Sequence, residues 1–151
     1  MREEGVAVRG FVTHEIREQR RRVGFEVESF EGGGATLAHV QFSGPPRVGK
    51  YGVDVEAFER LAIPTLRKPP AASVVVIDEL GKMELASDAF CDAVSSLFEG
   101  PAPIVATVHV FRHPFTDALK RRPDVERVQV THANRSNLAE QIARRLAEGV
   151  T

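Results

Sequence analysis

A short run of apolar, mostly β-branched residues, VVVI at 74–77, constrains the fold of this chain more than any other feature. A strand without a polar face is typical of a parallel sheet that is covered on both faces. Asp54 and Ser87 each precede an amphipathic segment and can cap a helix on either side of this strand. Strands that alternate with helices predict an α/β fold with right-handed crossovers.

The remaining elements follow from periodicity. Helices are predicted at 55–68, where Pro64 should kink the helix or end its first part, at 88–99, at about 113–122 and from about Asn134 onward; further strands are predicted at 104–110 and 127–130. The first 42 residues differ, because charged and glycine-rich turns separate segments that alternate in polarity. They predict an antiparallel meander of two or three strands.

Composition excludes several classes of protein. The 151 residues suit one domain, and 20 basic against 21 acidic residues argue against a general nucleic-acid binder. Cys91 is the only cysteine, which excludes a disulfide framework and a Cys-rich metal site. The sequence shows neither an apolar leader nor a run of membrane-spanning length, so we expect a cytoplasmic protein without a membrane partner.

Two adjacent carboxylates, Asp78 and Glu79, follow the apolar run. Ligands of open α/β sheets bind at the carboxyl ends of the strands. An apolar strand that ends in Asp-Glu has the form of a Walker B motif, in which the Asp holds Mg²⁺ and the Glu polarises an attacking water. The same residues also fit a buried strand that ends in a solvated acidic loop.

A second segment, GPPRVGK at 44–50, matches the first positions of a phosphate-binding loop. Tyr51 stands where that loop requires a Ser or Thr. The loop should also open directly into a helix whose N–H groups face the phosphates. Residues 51–53 are poor helix formers, and the helix cap comes only at Asp54. We therefore predict that this segment does not bind phosphate.

Four blocks in order along the chain resemble the THEP-type, or cancer-related, nucleoside-triphosphatase family of P-loop NTPases. They are DELGKMEL at 78–85, the hairpin sequence at 8–32, RVGKYGVDVEAFERLAIPTL at 47–66 and NRSNL at 134–138. The resemblance covers essentially the whole chain. It implies a P-loop NTPase-like, mainly parallel sheet flanked by helices, with the antiparallel meander near the N-terminus.

The resemblance implies Mg²⁺-dependent hydrolysis of ATP, GTP or related nucleotides. Asp78 would hold Mg²⁺ through water, and Glu79 would orient the attacking water. Residues expected near the nucleotide are Arg22, Lys82, Glu84, Thr107, Asn134, Arg135 and Asn137. Plainer interpretations stay open for several of these: a solvated turn for Lys82 and Glu84, an ordinary strand residue for Thr107, a helix cap for Asn134 and a solvated hairpin turn for Arg22.

The family's phosphate cradle, a strand, a Gly-Lys-Thr loop and a helix, is expected to lie N-terminal to residue 1 and to span about 25 residues. Residues 1–10 resemble the tail of that helix. The chain is therefore expected to be a single, N-terminally incomplete domain over residues 1–151. Strand 74–78 would lose the ladder partner that the cradle strand provides, and hydrolysis would be impaired.

Two alternatives to a hydrolase stay open. A chain without the cradle would also serve as a non-hydrolysing nucleotide-binding or interaction module. A nucleotide kinase would need an acceptor site, which the sequence does not reveal. The preferred base and the oligomeric state are not determined by the sequence, although an unpaired strand edge would favour association.

Overall fold

A seven-stranded sheet forms the centre of the computed structural model, which describes residues 6–150. Its strands are β1 (Ala7–Glu18), β2 (Arg21–Ser29), β3 (Gly34–His39), β4 (Arg47–Val48), β5 (Tyr51–Val53), β6 (Ser73–Leu80) and β7 (Ile104–Val108). The helices are α1 (Val55–Leu66), α2 (Asp88–Glu99), α3 (Pro114–Lys120) and α4 (Arg135–Val150), and a 3₁₀ turn spans Glu84–Ala86. None of these described helices is long and apolar enough to cross a bilayer.

The strand order across the sheet is β4-β5-β3-β2-β1-β6-β7. β1, β6 and β7 run parallel, whereas β2 to β5 add an antiparallel extension, so the predicted α/β class and meander are confirmed. β1 pairs with β6 only as far as Phe11 and beyond it pairs with β2 alone. The tip of the β1–β2 hairpin therefore projects past the carboxyl end of the parallel ladder.

The prediction that strand 74–78 lacks a ladder partner is wrong. β1 pairs with β6 on one side, from Ala7 opposite Ser73 to Phe11 opposite Ile77, and β7 pairs with it on the other. β1 provides the partner because it pairs with β2 of the meander on one side and with β6 of the parallel strands on the other. Within residues 6–150, the open edge of the parallel strands is that of β7.

Three phenylalanines tie the sheet to the two helices that cover it. Phe11 of β1, Phe58 of α1 and Phe90 of α2 are almost fully buried. Their ring centroids lie 4.8–5.8 Å apart in edge-to-face arrangements. This geometry adds electrostatic attraction between the rings to the gain from burying them. The cluster fixes α1 and α2 on the same face of the sheet.

Both predicted caps are confirmed, because Asp54 accepts the Ala57 N–H at 3.0 Å and Ser87 accepts the Phe90 N–H at 2.9 Å. Pro64 does not end its helix, which continues to Leu66. The guanidinium of Arg9 donates to the Pro64 carbonyl at 3.2 Å and so stabilises the last turn.

The predicted strand at 127–130 is wrong, since these residues lie outside any helix or strand. Their valines, Val128 and Val130, are 45% and 63% exposed. No described strand pairs with this segment, and a strand needs a partner for its backbone groups. The expected helix tail at 1–10 is wrong for residues 7–10, which begin β1; residues 1–5 lie outside the described part of the chain.

Gly10 allows β1 to approach β6, and its replacement tests that contact. Its φ is +104°, and a Cβ built there would run into the carbonyl of Val76. Gly10→Ala is expected to lower the free energy of unfolding by about 3 kcal/mol or more, as measured by urea denaturation. Gly32 has a φ of +105° but open space around it, so Gly32→Ala should cost only about 1 kcal/mol. Equal losses in the two variants would contradict a steric role for Gly10.

Candidate active site

The candidate site begins where β6 and β7 end side by side. Asp78 lies near the carboxyl end of β6 and Thr107 near that of β7. The Thr107 hydroxyl donates a hydrogen bond to Asp78 Oδ1 at 2.7 Å. This bond restricts the rotation of the carboxylate and leaves its second oxygen for another ligand. The structure thus brings two of the predicted site residues into direct contact.

Glu79 and Glu84 converge on the backbone of Gly81. The Gly81 N–H donates to Glu84 Oε2 at 3.1 Å, and Glu84 begins the 3₁₀ turn that leads to α2. A Cβ built on Gly81 would lie 2.9 Å from Glu84 Oε2 and 3.0 Å from Glu79 Oε1. A side chain at position 81 would therefore displace one of the two carboxylates. Gly81 was missed by the sequence analysis because its role depends on two side chains that close around it only in the fold.

Burial changes the acidity of both glutamates. Glu84 is only 4% exposed, and this burial, reinforced by the charges of Glu79 and Asp78, raises its pKa to about 7. The pKa of Glu79 is raised as well, first by burial and then by the negative charge of Asp78. Both side chains can thus exchange protons closer to neutral pH than an exposed glutamate can.

Lys82 follows Gly81 in the same turn. Its ammonium group is 4.1 Å from the centroid of the Phe111 ring, at cation–π distance. Phe111 is 55% exposed, and its ring centroid lies 5.9 Å from that of His109. Lys82 is therefore held at the carboxyl end of the sheet by an aromatic contact, without an ion pair to Asp78 or Glu79 within the described chain.

His109 is a further polar residue at this end that the sequence analysis did not select. It follows Thr107 by two residues, and its Nε2 lies 3.2 Å from the Thr116 hydroxyl. Burial, together with the positive charge of Lys120, lowers the pKa of His109 and so favours the neutral ring. The available signal was its position just beyond the carboxyl end of a predicted strand.

Arg22 contacts residues of the hairpin and of β5 and does not contact the carboxylates at the end of β6. Its guanidinium donates to the Tyr51 hydroxyl at 2.9 Å and to Glu15 at 3.3 Å, and it lies 5.2 Å from the centroid of the Phe25 ring. Hydrogen bonds from Arg17 and Arg22 lower the pKa of Glu15. No contact among residues 6–150 joins Arg22 to Asp78, although the projecting hairpin carries it toward the same end of the sheet.

The residues at the start of α4 are also separate from the carboxylates. The Asn134 side chain accepts the Thr131 N–H at 2.8 Å and donates to the Gln129 carbonyl at 2.8 Å, so it orders the preceding loop instead of capping the helix. Arg135 and Asn137 are exposed. In the described structure, no hydrogen bond or ion pair connects these three residues to Asp78 or Glu79.

Segment 44–50 does not open directly into a helix, as the sequence predicts. It leads into β5, a strand buried along its whole length, and α1 begins only after Asp54. The side chain of Arg47 donates to the carbonyls of Phe42 and Lys50 and closes the loop on itself. The backbone N–H groups after the loop therefore belong to a sheet rather than to a helix N-terminus.

The donor set at Asp78 fits a magnesium ion better than a metal that is held by the protein alone. No group of three or more His, Cys, Asp or Glu side chains within residues 6–150 is arranged to hold a metal. Mg²⁺ in nucleotide enzymes needs only one or two carboxylates, because waters and phosphate oxygens complete its shell. Asp78, with the Thr107 hydroxyl and Glu79 beside it, meets this requirement.

Comparisons with known sequences agree with this site. The profile of a family described as NTPase matches residues 1–143. The chain is 41% identical over 150 residues to the nucleoside-triphosphatase THEP1 of Methanopyrus kandleri, a match that covers 98% of this chain and 83% of that protein. It is 38% identical to the human cancer-related nucleoside-triphosphatase, over 91% of this chain and 80% of the human protein.

Solved structures support the same assignment. The crystal structure of THEP1 from Aquifex aeolicus superposes with a TM-score of 0.84 at 34% identity, covering 96% of this chain and 87% of that one. The solution structure of the human cancer-related enzyme gives a TM-score of 0.81 at 36% identity, over 96% and 84% of the two chains. The fold is thus P-loop NTPase-like, and the chain belongs to the NTPase family, whose matched relatives are nucleoside-triphosphatases.

Proposed function

We propose that this protein hydrolyses nucleoside triphosphates such as ATP or GTP to the diphosphate and phosphate in a Mg²⁺-dependent reaction. The observation that carries the proposal is the Asp78–Glu79 pair at the carboxyl end of β6, with Thr107 of the neighbouring strand bonded to Asp78. Carboxylates at this position of a parallel sheet face the space where ligands of such folds bind. Membership of the NTPase family supports the same reaction.

The two carboxylates take different roles. Asp78, oriented by Thr107, would hold Mg²⁺ through water, and the bound ion would neutralise charge on the phosphates. Glu79 orients the attacking water and accepts its proton, for which a raised pKa brings the carboxylate closer to neutral pH. Glu84 keeps Gly81 and hence Glu79 in place through its hydrogen bond to the Gly81 N–H.

The other predicted nucleotide neighbours have weaker support. Lys82 lies at the same end of the sheet and, in this proposal, attracts the phosphates electrostatically. Arg22 would first have to leave Glu15 and Tyr51. Asn134, Arg135 and Asn137 would contact the nucleoside only if it extends toward the start of α4.

The phosphate cradle is the part of the site that the described residues do not supply. Segment 44–50 opens into β5, so its N–H groups do not point along a helix axis toward a bound anion. We propose that the cradle belongs to sequence outside these 151 residues and that the chain alone hydrolyses slowly. This gap favours one second function, a module that binds a nucleotide or a partner without turning the nucleotide over.

Glu79→Gln tests the hydrolase directly. The amide cannot accept a proton, so we expect Mg²⁺-dependent phosphate release from ATP or GTP to fall by about 100-fold or more. Glu56→Gln, at an exposed position in the first turn of α1, is the matched control and should retain the rate. If the unchanged protein releases phosphate at a measurable rate, an equal rate in Glu79→Gln would refute the assigned role. Nucleotide binding without any turnover would favour the module.

Thr107 provides a second test, directed at metal binding. Thr107→Val removes the hydroxyl that orients Asp78, and we expect the Mg²⁺ concentration for half-maximal activity to rise about tenfold. Thr107→Ser keeps a hydroxyl and should restore most of the affinity. An unchanged Mg²⁺ dependence in Thr107→Val would contradict the proposal that Asp78, oriented by Thr107, holds the metal.

Glu84 should make stability depend on pH. The folded protein keeps the Glu84 proton up to about pH 7, whereas the unfolded chain loses it near its ordinary pKa of 4.5. The folded state binds more protons within this window, so the free energy of unfolding should fall by up to about 3 kcal/mol as pH rises through it.

Glu84→Gln isolates this contribution. The amide oxygen can still accept the Gly81 N–H, but the side chain no longer titrates, so the fall in stability between pH 4.5 and 7 should largely disappear. Urea denaturation in EDTA across this range is the measurement. The exposed substitution Glu140→Gln is the control and should leave the slope in place. The same slope in Glu84→Gln would show that other groups cause it.

A further inference from the structure

A cleft lies between the turns of two hairpins. The β1–β2 hairpin turns at residues 19–20, and the β4–β5 hairpin turns at residues 49–50. The cleft between them has a volume of about 740 Å³, a size at which protein pockets hold small ligands. This hairpin cleft is lined by residues 18–19, 21–23, 40 and 50.

Positive charge is concentrated around the hairpin cleft. Segments 17–22 and 47–50 together carry five arginines and one lysine but only one glutamate, in a chain whose net charge is −1. Among the described residues that line the cleft, Glu18 is the only carboxylate, and three residues are cations. These cations are Arg21, Arg22 and Lys50. Like charges gathered around a concave surface raise the local potential and attract an anion.

Much of this charge is not neutralised by the protein. Within the described chain, Arg21 and Lys50 form no ion pair. Arg22 donates one N–H to the Tyr51 hydroxyl and another to Glu15. A guanidinium carries further N–H donors, and these remain for a ligand.

Two of the cations lie near one aromatic ring. The Lys50 ammonium is 5.5 Å and the Arg22 guanidinium carbon is 5.8 Å from the centroid of the Tyr51 ring. Each cation is attracted to the ring, but the two cations repel each other. An anion bound beside both would offset this repulsion.

Hydrogen bonds hold the sides of the hairpin cleft, so the site is formed before a ligand binds. Arg17 donates to the Arg20 carbonyl at 3.3 Å in the β1–β2 turn, and the side chain of Arg47 donates to the Lys50 carbonyl at 2.9 Å in the β4–β5 turn. The two valines that give the cleft an apolar surface are also joined, because the N–H of residue 40 donates to the carbonyl of residue 23 at 2.9 Å. Ligand sites typically combine such a surface with a few fixed polar groups.

We propose that the hairpin cleft binds an oligophosphate anion, a chain of at least two linked phosphates, at a place distinct from the Asp78 site. Arg21 and Arg22 would donate to phosphate oxygens, which the forked geometry of guanidinium groups suits, and Lys50 would contribute a compact charge. A phosphate chain carries several negative charges within a few bonds and so fits cations gathered around one cleft. The carboxylates of an acidic peptide are spread more widely.

The proposal concerns binding and does not depend on hydrolysis. Segment 44–50 would still lack a phosphate cradle, because Lys50 acts through its side chain and not through a loop of backbone N–H groups. Inorganic polyphosphate and the phosphate chain of a nucleotide share the chemistry that the cleft would recognise.

Tripolyphosphate in the presence of EDTA is the probe that tests the site. Without a divalent cation, Asp78 and Glu79 repel phosphates, so binding at the proposed active site is suppressed. We expect saturable changes in the ¹H–¹⁵N NMR shifts of residues 18–23 and 50, and none in those of residues 79–84. The proposal fails if residues 18–23 and 50 show no saturable change.

Arg21→Gln combined with Lys50→Gln removes two cations of the cleft. This double substitution should weaken tripolyphosphate binding at least about tenfold, as measured by isothermal titration calorimetry in EDTA. Arg60→Gln combined with Lys68→Gln is the matched control, because it removes the same charge at exposed positions outside the cleft. The control should retain the affinity, and an equal loss in both variants would show a general attraction that contradicts the proposal.

Glu18→Gln should change the affinity in the opposite direction. It removes the carboxylate that lines the cleft, so tripolyphosphate should bind about threefold more tightly or better. Glu56→Gln makes the same change in charge at an exposed position on α1 and should leave binding unchanged. Unchanged or weaker binding in Glu18→Gln would contradict an anion bound beside this residue.

Titrations with ATP and with a hexaglutamate peptide, also in EDTA, separate the sources of the anion. Equal affinities for ATP and tripolyphosphate would support recognition of the phosphate chain alone. Tighter binding of ATP would support a nucleotide whose nucleoside packs against Val23 and Val40. Tighter binding of the hexaglutamate peptide than of tripolyphosphate would make an acidic polypeptide the ligand and would overturn the proposal.

Discussion

The parallel ladder between β1 and β6 is the constraint on which the rest of the structure depends. It requires Gly10, since any side chain there would meet the Val76 carbonyl. Through this contact the antiparallel meander and the parallel strands become one sheet, and Phe11 is placed against the two helices. The same register ends at Phe11, so the remainder of β1 carries its hairpin past the carboxyl end of β6. A single close approach of two backbones thus positions both the core and the elements around the site.

The site depends on keeping three carboxylates close together without charging all of them. Asp78 shares a hydrogen bond with Thr107, whereas Glu84 is buried and, with its pKa raised to about 7, holds a proton near neutral pH. A protonated Glu84 leaves the negative charge to Asp78 and Glu79, where a metal and a water would use it. Gly81 permits this arrangement, because both glutamates occupy the space that a side chain would fill. The different roles of these three carboxylates therefore follow from differences in their burial.

Sequence predicted the features that depend on a few neighbouring residues. The caps at Asp54 and Ser87, the strand that ends in Asp78 and the helix after Asn134 all follow from local chemistry. Predictions failed where a distant partner decides the outcome. The strand at 127–130 has the right alternation but no partner in the described sheet, and the partner of β6 turned out to be β1. The convergence of Glu79 and Glu84 on Gly81 could not be predicted, because it requires the turn itself.

The stability of the edge strand β7 and the chemistry of the site are coupled through Thr107. This residue belongs to β7, the edge strand, and it also orients Asp78. An edge strand that is hydrogen-bonded on one side opens more readily than a central one, so the position of the Thr107 hydroxyl is only as stable as the β6–β7 ladder. Any change that loosens this ladder would therefore reach the metal side of the site through the hydrogen bond between Thr107 and Asp78.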